Sequence, residues 1–91
     1  MATIFDEAEQ IVNGPRHAEY GPVRESFQAI GDVWTGILAA AGVITNQEAH
    51  VRAEDVALCM LGLKLVRYAH GQGRDSMVDM AGYARCLELM Q

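Results

Sequence analysis

The chain has 91 residues, 12 acidic and 7 basic side chains, a net charge of −5, and apolar residues at 51% of its positions. This length predicts a single domain, residues 1–91, with a small core, so we expect a homo-oligomer to cover part of the apolar surface. The acidic balance, without a Lys/Arg cluster, argues against nucleic-acid polymers and anionic membranes as partners, because binding to them rests on many phosphate contacts. The acidic balance is compatible with a nucleotide as ligand, since a nucleotide needs only one or two local cations.

Three further features predict a soluble cytoplasmic protein. No apolar run approaches the roughly 18 residues of a membrane span. The N-terminus MATIFDEAEQ has neither a basic n-region nor an apolar h-region, so we expect no signal peptide. Cys59 and Cys86 lie in apolar helical patterns without metal-ligand spacing, which favours free thiols in a reducing compartment.

The first half of the chain predicts two helices. Thr3 can cap a helix over residues 4–13, which ends at Asn13-Gly14 before a proline. Apolar residues at helical spacing then predict a second helix over residues 22–40. Gly31 and Gly36 lie within it, and each costs about 1 kcal/mol relative to alanine, which suggests close approach by a neighbouring helix or subunit.

The second half predicts a helical hairpin. Thr45 and Glu48 form a capping-box pattern, so we expect the third helix to open at Thr45 and to run to about residue 69. Its apolar residues cover the whole circumference, which is typical of a buried central helix. A Gly-rich turn then leads to a last helix over residues 75–90, with Ser76 as a possible cap. The predicted fold is all-α: a single four-helix domain with a central antiparallel hairpin, packed in a homo-oligomer.

Four charged side chains fall inside the predicted hairpin. Lys64 and Arg67 share one helix face, and Asp75 and Asp79 share another, so an antiparallel turn brings the cations near the carboxylates. One interpretation is an ion-pair cluster that is half-buried. The other is a phosphate-binding site, in which Arg supplies a bidentate fork and Lys a point charge. The pattern leaves both open.

Carboxylates on two helices allow a metal site as an alternative. Asp75 and Asp79, one turn apart, can hold Mg²⁺ and leave positions for substrate phosphates, with Asp55 as a third ligand and Glu48 or Glu54 completing the shell. The structural interpretation makes Asp75 a helix cap and Asp79 an ion-pair partner.

A second group of polar residues surrounds the break at Gly21-Pro22. Arg16 is suited to bind phosphate there, and Tyr20 to stack on a base, because ligand contacts collect in loops. The alternative is a solvated loop in which Tyr20 packs on the second helix.

The pattern RxxxYG…F…W…ITxxxxxxxxEDVAL…LK..R…D…VD.AGY resembles a family of small phage and prophage proteins classed as a domain of unknown function, often found beside nucleotide-metabolism genes. The resemblance runs from Arg16 to Tyr83. The recurring positions that it implies are Arg16, Tyr20, Gly21, Trp34, Asp55, Lys64, Arg67, Asp75, Asp79, Gly82 and Tyr83.

More distantly, the helical layout is similar to all-α nucleoside triphosphate pyrophosphohydrolases of the MazG type, which are oligomers that hold Mg²⁺ with an ExxE pair and a later ExxD pair. Here the first pair is missing, and Asp75 and Asp79 replace the second at a spacing of four. In size, the chain is also similar to phage proteins that sequester cyclic-nucleotide or ADP-ribose signals of bacterial immunity.

These observations give three hypotheses. The first is a phage-type binding protein that sequesters a nucleotide-derived signal in the host cytoplasm without cleaving it and without a cofactor. Its ligand-binding residues are Arg16, Tyr20, Lys64, Arg67, Asp79 and Tyr83. The second is a Mg²⁺-dependent pyrophosphohydrolase whose metal ligands are Asp55, Asp75 and Asp79. The third is a structural or protein-interaction module with a buried ion-pair cluster.

Overall fold

A computed structural model describes residues 2–14 and 22–91, which form four α-helices and no strand. The helices are α1 (Ile4–Asn13), α2 (Val23–Ala40), α3 (Ala53–Ala69) and α4 (Gly73–Leu89). The all-helical prediction is therefore confirmed. The molecule is elongated, with extents of 49 × 31 × 21 Å. Within the described ranges no helix has the length and apolar character to cross a membrane.

The start of α1 follows the sequence prediction. The Thr3 hydroxyl accepts a hydrogen bond from the Asp6 amide at 3.1 Å, and the Asp6 carboxylate accepts one from the Thr3 amide at 3.0 Å. This reciprocal capping box satisfies two amides that the first turn would otherwise leave unpaired. The predicted bounds of 4–13 are those observed.

The predicted start of the third helix is wrong. α3 begins at Ala53, where the Arg52 amide donates a hydrogen bond to the Asp55 carboxylate at 3.0 Å. Thr45 and Glu48 lie instead in the exposed connection between α2 and α3, where the Glu48 amide donates to the Asn46 side chain at 2.9 Å. The amide that the predicted capping box would have used is thus satisfied within a local turn.

Contacts with α2 fix the point at which α3 begins. The Thr35 hydroxyl accepts from the Val51 amide at 2.8 Å, and the Gln28 side chain bonds both the Val51 carbonyl (3.2 Å) and the Ala53 amide (3.1 Å). Gly31 lies under this segment, where an added Cβ would stand 2.6 Å from the Val51 carbonyl oxygen. The close approach expected at Gly31 is confirmed. At Gly36 no described atom lies within 4 Å of an added Cβ.

The hairpin forms as predicted, with small shifts at its turn. α4 begins at Gly73 and ends at Leu89, so each end lies one or two residues before the predicted one. Ser76 is not the cap: it is buried inside the helix, and its amide donates to the Gln72 carbonyl at 3.3 Å. Gly71 turns the chain with φ +96°, a conformation that side chains with a Cβ rarely adopt.

The buried core lies where α1, α3 and α4 meet. It consists of mostly small side chains, namely Val12, Ala53, Ala57, Cys86 and Met90, with Val23, Phe27 and Leu87 packed against it.

The prediction that α3 is buried all round is wrong for the residues beyond its first turn. Leu58, Leu65 and Val66 are each more than half exposed. Among the described residues, the hydrogen bonds and the ion pair that join α2 to α3 and the segment before it all involve residues from Val51 to Glu54. The outer side of α3 beyond its first turns is therefore left open to solvent.

We predict that Gly31→Ala lowers the free energy of unfolding by roughly 1–2 kcal/mol, because the new methyl meets the Val51 carbonyl. Gly82→Ala is the matched control in another helix interior: its Cβ would lie at an ordinary 3.9 Å from Ala8 and Val12. That variant should gain up to about 1 kcal/mol from helix propensity. Urea denaturation at one protein concentration measures both. Equal stability of the two variants would show that the Gly31 contact is not close.

Candidate functional site

Lys64 and Asp79 form an ion pair across the hairpin. The Lys64 ammonium on α3 lies 3.0 Å from the Asp79 carboxylate on α4. The Lys64 side chain is only 15% exposed and that of Asp79 is 36% exposed. A charge this poorly hydrated requires a counter-charge, so the pair fixes how α3 and α4 align along their length.

Arg67 and Asp75 lie near this pair but are not joined to it. Both are exposed, and within the described ranges neither side chain forms an ion pair. The Arg67 carbonyl accepts hydrogen bonds from the amides of His70 and Gln72, at 3.2 and 3.1 Å. The hairpin turn thus holds the backbone of Arg67 while its guanidinium faces solvent.

Arg67 stands out among the cations that the structure describes. These are six in number, and five of them pair with a carboxylate: Arg24, Arg52, Lys64, Arg74 and Arg85. Arg67 is the sixth. In a chain of net charge −5, a guanidinium without a neighbouring carboxylate is the position at which an anion is least repelled.

Tyr68 belongs to the same surface, although it was not among the residues predicted from the sequence. Its side chain is 46% exposed. On α3, Lys64, Arg67 and Tyr68 occupy positions i, i+3 and i+4, so the three side chains are neighbours on one side of the helix. We call these three residues the α3 patch. The i, i+4 spacing between Lys64 and Tyr68 could have predicted that Tyr68 lies beside Lys64.

Tyr83, predicted from the sequence as a ligand-binding residue, lies half-buried in the molecule. Its ring packs against Phe27 with the centroids 6.3 Å apart and the planes tilted by 48°. An aromatic pair of this geometry stabilises the packing of α2 on α4. The other two predicted ligand residues, Arg16 and Tyr20, lie outside the described residues, so their roles stay predictions.

Asp55 does not lie with Asp75 and Asp79, the other two carboxylates of the proposed metal site. Asp55 lies nine positions before Lys64 on α3, roughly 13 Å along the helix from the level of Asp79. It bonds the Arg52 guanidinium at 2.9 and 3.1 Å, and this bond lowers the pKa of Asp55 to about 2. No group of three His, Cys, Asp or Glu with metal-binding geometry occurs in residues 2–14 and 22–91.

The remaining members of that predicted metal shell are placed elsewhere. Glu54 pairs with Arg24 at 3.2 Å, and a hydrogen bond from that arginine lowers the pKa of Glu54. Glu48 is exposed in the connection before α3. The Mg²⁺ assignment therefore stays a prediction from the residue pattern, without an assembled ligand set in this part of the chain.

We predict that Asp79→Asn lowers the free energy of unfolding by about 1–3 kcal/mol, since it leaves the poorly hydrated Lys64 ammonium without a counter-charge. Lys64→Met should cost less, because the remaining carboxylate reaches water and the methionine keeps most of the packing. The double variant should recover most of the free energy of unfolding that Asp79→Asn loses. Chemical denaturation measures the free energy of unfolding of all three variants. If Asp79→Asn is no less stable than Lys64→Met, the pair does not fix the hairpin.

We also predict a pH-dependent contribution from Asp55. Its pKa falls from the usual 3.8 to about 2 in the folded chain, so its stabilising effect is present above about pH 4 and is lost as the pH falls through 2. Asp55→Asn, which weakens the bonds that the carboxylate accepts from the Arg52 amide and guanidinium, should lower the free energy of unfolding at pH 7 by about 1 kcal/mol. In urea titrations, the difference in free energy of unfolding between Asp55→Asn and wild type should become smaller as the pH falls from 4 towards 2. A difference that is constant with pH would contradict this role.

Two curated relatives come from mycobacteriophages. The Gene 55 protein of Mycobacterium phage L5 is 36% identical over 90 residues, which is 98% of this chain and 53% of that protein. The Gene 55 protein of Mycobacterium phage D29 is 37% identical over 87 residues, 94% of this chain and 52% of that protein. The chain thus spans about half the length of these relatives. No solved structure matches it significantly.

These findings confirm the resemblance to small phage proteins of unknown function. They do not test the similarity to MazG-type enzymes or the individual positions of the motif, which stay predictions. Residues 3–91 match DUF6378, a domain of unknown function, and the chain belongs to that family.

Proposed function

We propose that this chain is a phage nucleotide-binding protein and that the α3 patch holds the phosphate of its ligand. The observation that carries the proposal is the state of Arg67: it is the one cation in the described ranges without a carboxylate partner, and it lies one turn from Lys64. A guanidinium presents a planar fork that matches two phosphate oxygens, so an unpaired one is suited to bind phosphate.

Each member of the α3 patch supplies a different part of nucleotide recognition. Arg67 supplies the bidentate contact to phosphate. Lys64 supplies a positioned ammonium one turn from Arg67, and the ion pair with Asp79 holds it in place. The exposed ring of Tyr68 offers a face on which a base can stack, a contact worth about 1–3 kcal/mol. Tyr68 replaces Tyr83 among the proposed ligand-binding residues, because the ring of Tyr83 packs on Phe27.

The proposal is binding without cleavage. A pyrophosphohydrolase of the MazG type requires carboxylates that hold Mg²⁺ against the phosphates. Asp55 pairs instead with Arg52 at the far end of α3. Since the curated relatives come from phages, we propose a ligand among the host's nucleotide-based immune signals, of the cyclic-nucleotide or ADP-ribose class. Sequestration in the host cytoplasm is the proposed outcome.

A second candidate is a structural or protein-interaction module, and one observation favours it. Lys64 and Asp79 already neutralise each other without any ligand. Under this reading the charged cluster sets the alignment of the hairpin, and function resides in the exposed apolar surfaces.

We predict that Arg67→Ala weakens ligand binding at least tenfold. A panel of nucleoside mono-, di- and triphosphates, cyclic dinucleotides and ADP-ribose is tested by thermal shift with and without Mg²⁺, and any stabilising compound is then titrated by calorimetry. Arg52→Ala is the matched control, because it removes an exposed cation that lies outside the α3 patch. It should leave the affinity within about twofold, since distant exposed charges are screened.

The same panel separates the hypotheses. Stabilisation without Mg²⁺, with the compound recovered intact, supports sequestration. Mg²⁺-dependent conversion of a triphosphate to monophosphate and pyrophosphate would contradict it and support the enzyme. If no compound raises the melting temperature, or if Arg52→Ala weakens binding as much as Arg67→Ala, the α3 patch is not the site and the interaction module is favoured.

A further inference from the structure

Two helices present apolar surfaces that no described part of the chain covers. On α2 the outward positions at spacing i, i+4, i+7, i+11 are Ala29, Val33, Gly36 and Ala40, which we call the α2 stripe. On α3 the corresponding outward positions are Leu58, Gly62, Leu65 and Ala69, which we call the α3 stripe. Val33 is 61% exposed, and Leu58 and Leu65 are 54% and 55% exposed.

Both stripes carry a glycine that the fold of one protomer does not require. At Gly31 the close Val51 carbonyl explains the missing side chain, but around Gly36 and Gly62 no described atom lies within 4 Å of an added Cβ. A glycine inside a helix costs about 1 kcal/mol relative to alanine. Glycines on apolar outward surfaces are suited to close helix–helix contact with another molecule.

The two stripes have complementary shapes. The α3 stripe places two large side chains, Leu58 and Leu65, on either side of Gly62. The α2 stripe has the inverse order, with Val33 between the small residues Ala29 and Gly36. When the stripes face each other, Val33 enters the gap at Gly62, and the two leucines enter the gaps at Ala29 and Gly36.

We infer that this chain forms a symmetric homodimer in which the α2 stripe of each protomer packs on the α3 stripe of its partner. If the two stripes face the same side of the protomer, a twofold axis satisfies both contacts at once. With the flanking Ile30, Ile37 and Val66, the stripes expose on the order of 700 Å² per protomer, close to the roughly 800 Å² per partner of a standard interface. Neither stripe itself contains a charged residue, and Asp32, at the edge of the α2 stripe, accepts a hydrogen bond from the Gln28 side chain at 3.0 Å. The inference does not depend on the α3 patch binding a ligand.

Sedimentation equilibrium of the 91-residue chain tests the dimer. Wild type should be dimeric at micromolar concentration, and Val33→Glu or Leu65→Glu should raise the dimer dissociation constant at least a hundredfold, since each places a charge in an apolar contact. Phe5→Glu is the matched control: Phe5 is 69% exposed on α1, away from both stripes. Circular dichroism verifies that the variants fold. A monomeric wild type, or equal weakening by Phe5→Glu, overturns the inference.

Cysteine pairing tests which helices meet. In a Cys59→Ser background, Val33→Cys chains are mixed with Gly62→Cys chains and oxidised. The α2–α3 contact predicts mixed disulfides, because small side chains allow the Cα separation of about 4–7 Å that a disulfide needs. Phe5→Cys mixed with Gly62→Cys should give none. Val33→Cys chains that preferentially link to themselves would show an α2–α2 contact and overturn the proposed pairing.

Discussion

The close approach of Gly31 to the Val51 carbonyl determines how the two halves of the molecule meet. The hydrogen bonds from Gln28 and Thr35 hold Val51 extended against α2, so α3 can begin only after it. α2 therefore contacts α3 near its start and does not run along its length. Two consequences follow: the later turns of α2 project without a covering helix, and the outer side of α3 stays open. The exposed apolar surface of this protein results from that junction.

The charged residues are arranged so that positive charge is neutralised at nearly every position. In the described ranges the arginines at the helix starts and ends pair with nearby carboxylates, and Lys64 pairs across the hairpin. Arg67 differs because the turn after α3 ends its helix and leaves its guanidinium in solvent. In an acidic chain, this gives a local cationic position inside a repulsive field. Such a position suits a small anion and not a polyanion, because a polymer would bring many phosphates near the surrounding carboxylates.

Much of the helical layout could be predicted from local chemistry, and the errors arise where two local signals compete. The Thr3 capping box and the periodicity of α2 depend on neighbours in sequence, so both were predictable. At the start of the third helix, the capping-box pattern at Thr45 competes with the hydrogen bond from the Arg52 amide to the Asp55 carboxylate, and contacts with Gln28 and Thr35 far away in sequence decide between them. The candidate functional site was also only partly predictable, because some of its features depend on contacts distant in sequence. Lys64 and Asp79 share a hairpin and could be placed together, whereas the exposure of Tyr68 and the packing of Tyr83 depend on where α2 lies.

The two proposals meet on α3. Leu65 of the α3 stripe and Lys64 of the α3 patch are consecutive residues, so their side chains point about 100° apart around the helix. A partner helix on the stripe would therefore run beside the patch without covering it. At the last turn, Ala69 of the stripe follows Tyr68 of the patch, so the partner's α2 would border the ring that is proposed to hold the base. The exposed α3 patch by itself encloses little of a ligand. A second protomer packed beside Tyr68 would cover one side of the ligand. In a chain of 91 residues, dimerisation is thus a direct physical route from an open surface to a pocket.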